Sequence, residues 1–495
     1  MHMIILLLLE FLLFFFIRLL PVWRFRHQGC DAYYFLLTAE IFRKKKKIPI
    51  VLPPYYLADI EEQWYPPGFS VFLGLLPEWI VQKYHWLINH ILDFLNLLLL
   101  DCFIWAFHMG WRALLVANLV YIFTPTLTLE YRGLTSRSLG NLLFTLFMMA
   151  MWGTLMDVRW LPAALFVWLL ILFTHKMTMQ LGVVMGIVLS VVFKTWLPVI
   201  VVIGGIPLAI VLSKGYYWKI LKGHWDIVSF WHKNLPCLGA HQVYDSPVYN
   251  PDRYAMKKKR SLTEDCLKLG KYYLLHNPFL ILILFWFVFS AFGGIKFAEL
   301  KDIGLKGETG IFLLAWSFVV FGWAAVTTLI PGFKALGEGY KYLKYSALPV
   351  SILVAACGLT CLVIGMVVAT CLLFRSTRHL FKEAVLDKID DDLNKMILWI
   401  ERNPQVDRIG CINTHFADLV VYHCRRRVLW GTHHYWFNEK VVDFFPVLRK
   451  NIKKLNAQYD LRFWIINKSY VDPAALKFIK NSCVYETARY ALYGI

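Results

Sequence analysis

Charge is scarce in this sequence. Only 17% of the 495 residues are Asp, Glu, Lys or Arg, and 58% are hydrophobic, whereas a soluble domain carries about a quarter charged residues. That deficit excludes an ordinary soluble enzyme, and a mean hydropathy of +0.53 places most of the chain in or beside lipid. The ten cysteines include no CxxC pair and no zinc spacing, so they define no metal site. Cys102, Cys357, Cys361 and Cys371 fall in apolar stretches, where a thiol behaves as a small hydrophobe. A Gly-rich phosphate loop, an internal repeat and a low-complexity tract are all missing. The apolar N-terminus, residues 3–20, lacks a basic leader and a small-residue cleavage site, so it reads as a retained helix rather than a signal peptide.

What the chain does have is apolar runs. A helix needs roughly 20 apolar residues to cross a bilayer, and about ten stretches qualify: 3–20, 86–108, 112–129, 137–156, 160–175, 178–194, 196–212, 277–295, 311–330 and 346–374. Phe69 to Val81 is apolar but only about 13 residues long, which suits a re-entrant or interfacial helix. Twenty Trp and 25 Tyr fit interfacial aromatic belts. The net charge of +19, in a chain mostly beside lipid, points to anionic headgroups and phosphate-bearing substrates rather than nucleic acid.

Hydrophilic segments 21–68, 213–276 and 331–345 interrupt the spans, and residues 375–495 form a tail. The tail alternates a helical pattern over 380–402, a strand over 408–412, a helix over 417–423, a strand over 461–467 and a helix opening at Asp472-Pro473. Such alternation predicts a parallel sheet. The expected fold is therefore a polytopic α-helical membrane module, 1–374, with interfacial helices in its first long loop, followed by a small soluble α/β domain, 375–495. With ten spans, Lys194, Lys296, Lys301, Lys306, Arg375 and Arg378 fit the cytoplasmic side. The basic loops 21–68, 213–276 and 331–345 then face outward, against the positive-inside rule. Either the count differs, or those charges are kept outside for a substrate.

Several residues carry possible chemistry. Asp31, at the membrane boundary in Gly29-Cys30-Asp31-Ala32-Tyr33-Tyr34, suits a general base on a hydroxyl, or an N-cap of the helix that follows. Asp59, Glu61 and Glu62 precede Tyr65-Pro66-Pro67-Gly68, a turn that restricts the backbone. Paired carboxylates there suit a sugar hydroxyl or a divalent metal, or form only a solvated loop. Lys341 and Lys344 lie three apart among Tyr340, Tyr342 and Tyr345, and fit either a phosphate handle or a snorkelling anchor. Arg132 and Arg137 flank a turn whose donors suit a phosphate or a sugar. Glu10, Arg18, His90, Asp93, Asp101, His175 and Lys176 lie within or at the ends of apolar spans, where ionisable groups are functional candidates by default. His415, His423, His433 and His434 show no metal spacing and read as ordinary domain residues.

Taken in order, these pieces resemble the GT-C superfamily of integral membrane glycosyltransferases, closest to the branch of protein O-mannosyltransferases and lipid A aminoarabinose transferases. The matching elements are the Asp31 segment, Tyr65-Pro66-Pro67-Gly68-Phe69, Tyr131 to Gly140 opening a span, Thr174-His175-Lys176, and Gly337-Glu338-Gly339-Tyr340-Lys341-Tyr342 followed by Ala347-Leu348-Pro349. The resemblance covers roughly residues 1–374 in order. Lys341 stands where Arg is common. It implies inverting transfer of a sugar from a polyprenyl-phosphate-linked donor to a glycan, lipid or protein hydroxyl, on the non-cytoplasmic face of the cell (plasma or inner) membrane. By that likeness Asp31 is the base, and Lys341, Lys344, Arg132 and Arg137 hold the donor phosphate. Asp59, Glu61 and Glu62 serve the acceptor, with Tyr33, Tyr65, His175, Lys176, Glu338 and Tyr342 in support. The tail lacks the Trp-Trp-Asp signature of oligosaccharyltransferases and a clear set of metal carboxylates. A monosaccharide-phosphate donor and no metal cofactor are therefore expected. The rival readings are a polyprenyl-diphosphate glycan polymerase or ligase, a lipid or solute transporter, and a non-enzymatic scaffold.

Overall fold

The computed structural model describes residues 2–23, 30–58, 62–240, 242–255, 261–291, 307–357, 363, 365–375, 377–378, 390–431, 433, 435–476 and 483–495. The chain packs into two compact units. The first comprises Met1–Arg26, His85–Gly215 and Arg260–Lys382, and the second comprises His27–Tyr84, Tyr216–Lys259 and Glu383–Ile495. The helix Glu78–Ala106 runs through one of these boundaries and is broken by non-helical backbone at Tyr84.

The first unit is helical. Apolar residues leave its backbone groups no partner but their own helix, which is why long apolar runs form helices in lipid. Among the described residues, Glu78–Ala106, Arg137–Met156 and Gly307–Leu329 are long and apolar enough to cross a membrane. Gly110–Phe123, Val158–Leu172, Lys176–Val192 and Gly365–Arg375 are apolar but shorter. Proline at the first or second helical position opens Pro125–Glu130, Leu161–Leu172 and Leu197–Leu212, where its missing N–H costs nothing. The expected loop 331–345 is two 3-10 stretches, Pro331–Leu336 and Gly339–Ser346.

Three of these helices close around one side chain. Trp168 is fully buried and donates its indole N–H to the Val202 carbonyl at 3.0 Å. Gly182 and Gly205 lie directly against its ring, where a Cβ would clash with it. Small residues let helix backbones approach in the absence of a hydrophobic driving force.

The second unit holds the sheet and the first-loop helices. Cys30–Lys45 packs on Gly68–Leu75 and on Ala417–Cys424. The apolar segment Phe69 to Val81 is divided between the helix Gly68–Leu75, whose eight residues are too few to cross, and the start of Glu78–Ala106. The expected loop at 213–276 contributes the helix Tyr216–Lys233. Its Asp226 accepts the Phe437 N–H at 2.8 Å and the Asn438 amide at 2.8 Å.

The strands are β1 (Ile409–Ile412), β2 (Phe463–Asn467), β3 (Cys483–Glu486) and β4 (Tyr490–Gly494), in spatial order β1-β2-β4-β3. β1 and β2 pair in parallel, as the alternating pattern predicts, but β2–β4 and β3–β4 are antiparallel, so the sheet is mixed. The reason is the short turn Thr487-Ala488-Arg489, since only an antiparallel pair can be joined so tightly. The helix expected at Asp472-Pro473 is a single 3-10 turn, Pro473–Ala475, capped by Asp472. Residues 477–482 lie outside the described set, as do 380–389 of the helix expected over 380–402, of which Asp391–Arg402 is observed.

Gly205→Val places two methyls into the Trp168 ring. Overpacking of this kind costs about 1–3 kcal/mol. The variant is expected to melt below the wild type in detergent by scanning fluorimetry, while Gly204→Val, at the adjacent glycine with open space around it, leaves the melting point in place.

Candidate functional site

Within the first unit, one buried carboxylate gathers the cations. Glu130 ends the short helix Pro125–Glu130 and is 7% exposed. Arg137, the first residue of Arg137–Met156, donates to its Oε2 at 3.0 Å. The Nζ of Lys344, 1% exposed, lies 3.7 Å from the same oxygen and donates to the Lys341 carbonyl at 2.9 Å. Lys341 pairs with Glu338 at 2.9 Å, and the Tyr340 hydroxyl donates to Glu338 at 3.1 Å. The His276 ring stacks on Tyr340 with centroids 4.6 Å apart.

Local geometry explains why the two lysines converge. They lie three apart on the 3-10 stretch Gly339–Ser346, where residues i and i+3 eclipse. The stretch is pinned from behind. Trp316 donates to the Tyr345 carbonyl at 2.8 Å, Asn277 donates to Ser346 at 3.0 Å, and the Tyr342 hydroxyl donates to Gln180 at 2.5 Å. His175 caps Lys176–Val192 by accepting from the Thr178 N–H, and the Tyr345 hydroxyl lies 3.3 Å from its Nδ1. Lys176 is the first residue of that helix. Arg132, in the turn before Arg137, has no ion-pair partner among the described residues.

Electrostatics follow from burial and these neighbours. Burial pushes the Glu130 carboxyl up, but Arg137, Lys344, Lys341 and His276 outweigh it and hold the pKa down at about 2. Burial drives the Lys344 ammonium down, helped by Arg137 and Lys341 and opposed by Glu130, to about 7. Burial brings His276 down to about 4 against the pull of Glu130 and Glu338, so its ring is neutral at pH 7. Burial raises Glu338, and the Lys341 charge and the Tyr340 and Lys341 hydrogen bonds more than reverse it.

The second unit holds the acidic elements. The first-loop helix is Cys30–Lys45, starting two residues before the expected Ala32, so Asp31 sits in its first turn rather than before it. A carboxylate there is favoured by the helix dipole. Asp31 Oδ1 lies 3.8 Å from His433 Nε2. His433 stacks parallel on Tyr65, with centroids 4.6 Å apart and planes 2° from coplanar, and meets Tyr34 edge-on at 4.9 Å. Tyr34 donates to Gln63 at 3.2 Å. Tyr33 packs against Tyr422 and His423. Glu62 accepts from the Lys219 ammonium and from the Trp64 indole. Asp59 and Glu61 lie outside the described residues. Among the described residues no three His, Cys, Asp or Glu side chains are grouped to hold a metal ion.

The structure thus gathers Arg137, Lys341, Lys344 and Glu338 in one unit, and Asp31, Tyr65, Tyr33 and Glu62 in the other. Glu130, His276 and Tyr340 join the first group although the sequence does not single them out for it. The signal for Glu130 was its place between an apolar run and the basic turn at Tyr131-Arg132. His433 is an ordinary domain residue by sequence, yet it faces Asp31, and nothing in its spacing signals that.

No family model matches the chain, and no curated protein matches it. Solved structures do. The oligosaccharyltransferase of Archaeoglobus fulgidus tethered to an acceptor peptide with the NVT sequon aligns over 99% of this chain and 74% of its own, with TM-score 0.57 and 10% identity. The archaeal oligosaccharyltransferase AglB from Archaeoglobus fulgidus, with an inhibitory peptide and a dolichol-phosphate, aligns over 100% and 74%, with TM-score 0.55 and 11% identity. ArnT from Cupriavidus metallidurans in the apo state aligns over 99% and 97%, with TM-score 0.53 and 11% identity.

A depressed lysine has a measurable consequence. The ordinary Lys344 value is 10.5, and in the folded protein it is about 7. Between these values the unfolded chain binds the extra proton, so this residue makes folding stability rise with pH from about 7 to about 10.5. Thermal unfolding across pH 7–10 is expected to show that rise in the wild type and to lose it in Lys344→Met. An equal rise in both proteins counts against the assignment. These structural matches show that the chain shares its fold with the Archaeoglobus fulgidus oligosaccharyltransferase and with ArnT.

Proposed function

We propose that this chain is a membrane glycosyltransferase that moves a sugar from a polyprenyl-phosphate-linked donor to a hydroxyl acceptor on the non-cytoplasmic face, with inversion. The observation that carries the reading is the cation cluster of buried Lys344 with part-buried Arg137 and Lys341 in a chain of this fold. Drawing cations out of water in this way is expensive unless an anion offsets it. With Lys344, whose pKa lies at about 7, in its protonated form, Arg137, Lys341 and Lys344 stand against Glu130 and Glu338, a surplus of one positive charge that a bound anion would hold in place. A phosphodiester such as a prenyl-phosphate sugar carries one negative charge, which matches that surplus. A diphosphate-linked donor carries more, so the charge balance favours the monophosphate over the polymerase or ligase reading. AglB from Archaeoglobus fulgidus has been solved with a dolichol-phosphate, a ligand of this class.

In this reading Asp31 takes the proton of the acceptor hydroxyl as that oxygen attacks the anomeric carbon. The glycosidic C–O bond to phosphate breaks and prenyl phosphate leaves with the electron pair. Arg137, Lys341 and Lys344, with Arg132 beside them in sequence, stabilise the charge that grows on the departing phosphate. His433, 3.8 Å from Asp31 and held on the Tyr65 face, positions the carboxylate. Glu62, with Asp59 and Glu61, contributes to acceptor binding, and Tyr33, His175, Lys176 and Tyr342 hold the segments that carry the reacting groups.

Purified protein in nanodiscs, given a radiolabelled prenyl-phosphate sugar and a membrane acceptor extract, tests this. Asp31→Asn is expected to lower turnover about 10²–10⁴-fold, the span of a lost general base, with the donor KM nearly unchanged. Lys341→Met is expected to raise the donor KM about tenfold or more, the cost of one charged hydrogen bond. Equal transfer by Asp31→Asn and wild type would remove Asp31 from the mechanism. Consumption of a diphosphate-linked glycan alone would favour the polymerase or ligase.

A further inference from the structure

The first unit contains buried polar groups that the transfer reaction does not use, and two sets of them lie on the same helices. The first set is complete. Arg18 donates to Asp93 at 2.7 Å, to Thr128 at 2.9 Å and to the carbonyls of Ile122 and Tyr121, and Tyr121 donates to the other Asp93 oxygen at 2.7 Å.

The second set is not complete. Glu10, eight residues before Arg18 on His2–Trp23, is 6% exposed and accepts from the Asn118 amide at 2.9 Å. Asp101, part-buried on Glu78–Ala106, lies against the same amide. Three atoms here have no hydrogen-bond partner: Glu10 Oε1, Asp101 Oδ1 and Asn118 Oδ1. All three are acceptor oxygens. Asn118 is 1% exposed, so no solvent satisfies it. No Lys or Arg among the described residues pairs with either carboxylate. Arg18 is consumed by Asp93, Arg112 lies over the Trp111 ring, and buried His90 belongs to the Arg18 end of the same helix.

Two carboxylates in an apolar bundle cannot both stay ionised without a cation, and three acceptors with no donor call for the same thing. We propose that Glu10, Asp101 and Asn118 form a monovalent-cation site inside the helical bundle, filled either by a proton shared between the carboxyls or by a sodium ion. A proton turns one carboxyl into the missing donor. A sodium ion takes the same oxygens as ligands. Either occupant supplies one positive charge where the chain supplies none.

The full-length protein in nanodiscs tests this by two measurements. Infrared spectra at pH 7 read the C=O stretch of a protonated buried carboxyl. Thermal unfolding in sodium chloride and in choline chloride at equal ionic strength reads a sodium-specific stabilisation. A proton occupant gives a protonated-carboxyl band that Glu10→Gln and Asp101→Asn each remove, with equal melting in both salts. A sodium occupant gives no such band, but a higher melting point in sodium that both substitutions abolish. If one amide variant does not fold, the other decides. The proposal is overturned if neither signal appears in the wild type, or if the signals survive both substitutions.

Discussion

A charge buried in apolar surroundings must be met by an opposite one, and in the first unit that rule is enforced at Glu130. Its single carboxylate faces Arg137 from one helix and Lys344 from the 3-10 stretch before another. Removing one partner of such a buried pair costs about 3–5 kcal/mol, because the survivor is left uncompensated. Three segments are therefore tied at one point: the helix Pro125–Glu130 and the start of Arg137–Met156, seven residues on, with Gly339–Ser346 from much later in the chain. Packing then follows the charges. Tyr340, Tyr342 and Tyr345 spread from the lysines, and each finds its partner on a different neighbour, in Glu338, Gln180 and Thr178. The stretch is rigid because every polar group that enters the low-dielectric interior has been given an address.

How much of this could be read in the sequence depends on the range of the interaction. Apolar helices were legible because their signal is local composition, and so were β1, β2 and the helix Ala417–Cys424. Lys341 and Lys344 were legible as a pair because three-residue spacing puts them together in any tight helix, although the 3-10 form was not foreseen. The mixed sheet was not legible from alternation alone, since the pairing of β4 between β2 and β3 is decided by a turn and by long-range register. The Asp31–His433 contact joins opposite ends of the chain, and no spacing rule reaches that far. Glu130 is the instructive case. A lone acid at the end of an apolar run looks like a boundary residue, and only three-dimensional structure brings the cations to it.

The same rule sorts the remaining polar groups of the first unit. Arg18 and Asp93 sit deeper in apolar sequence than Glu130 does, yet all their principal donors and acceptors are satisfied, so they read as a structural clasp joining His2–Trp23, Glu78–Ala106 and Gly110–Phe123. Glu10 and Asp101 sit on two of those helices with acceptors left over. If polarity there served helix association alone, a neutral hydrogen-bonded pair would do it at lower cost, since each carboxylate adds a desolvation penalty that association does not require. An uncompensated pair of acids, held by one amide beside a clasp that is fully compensated, is the arrangement expected where the missing charge comes from outside the chain.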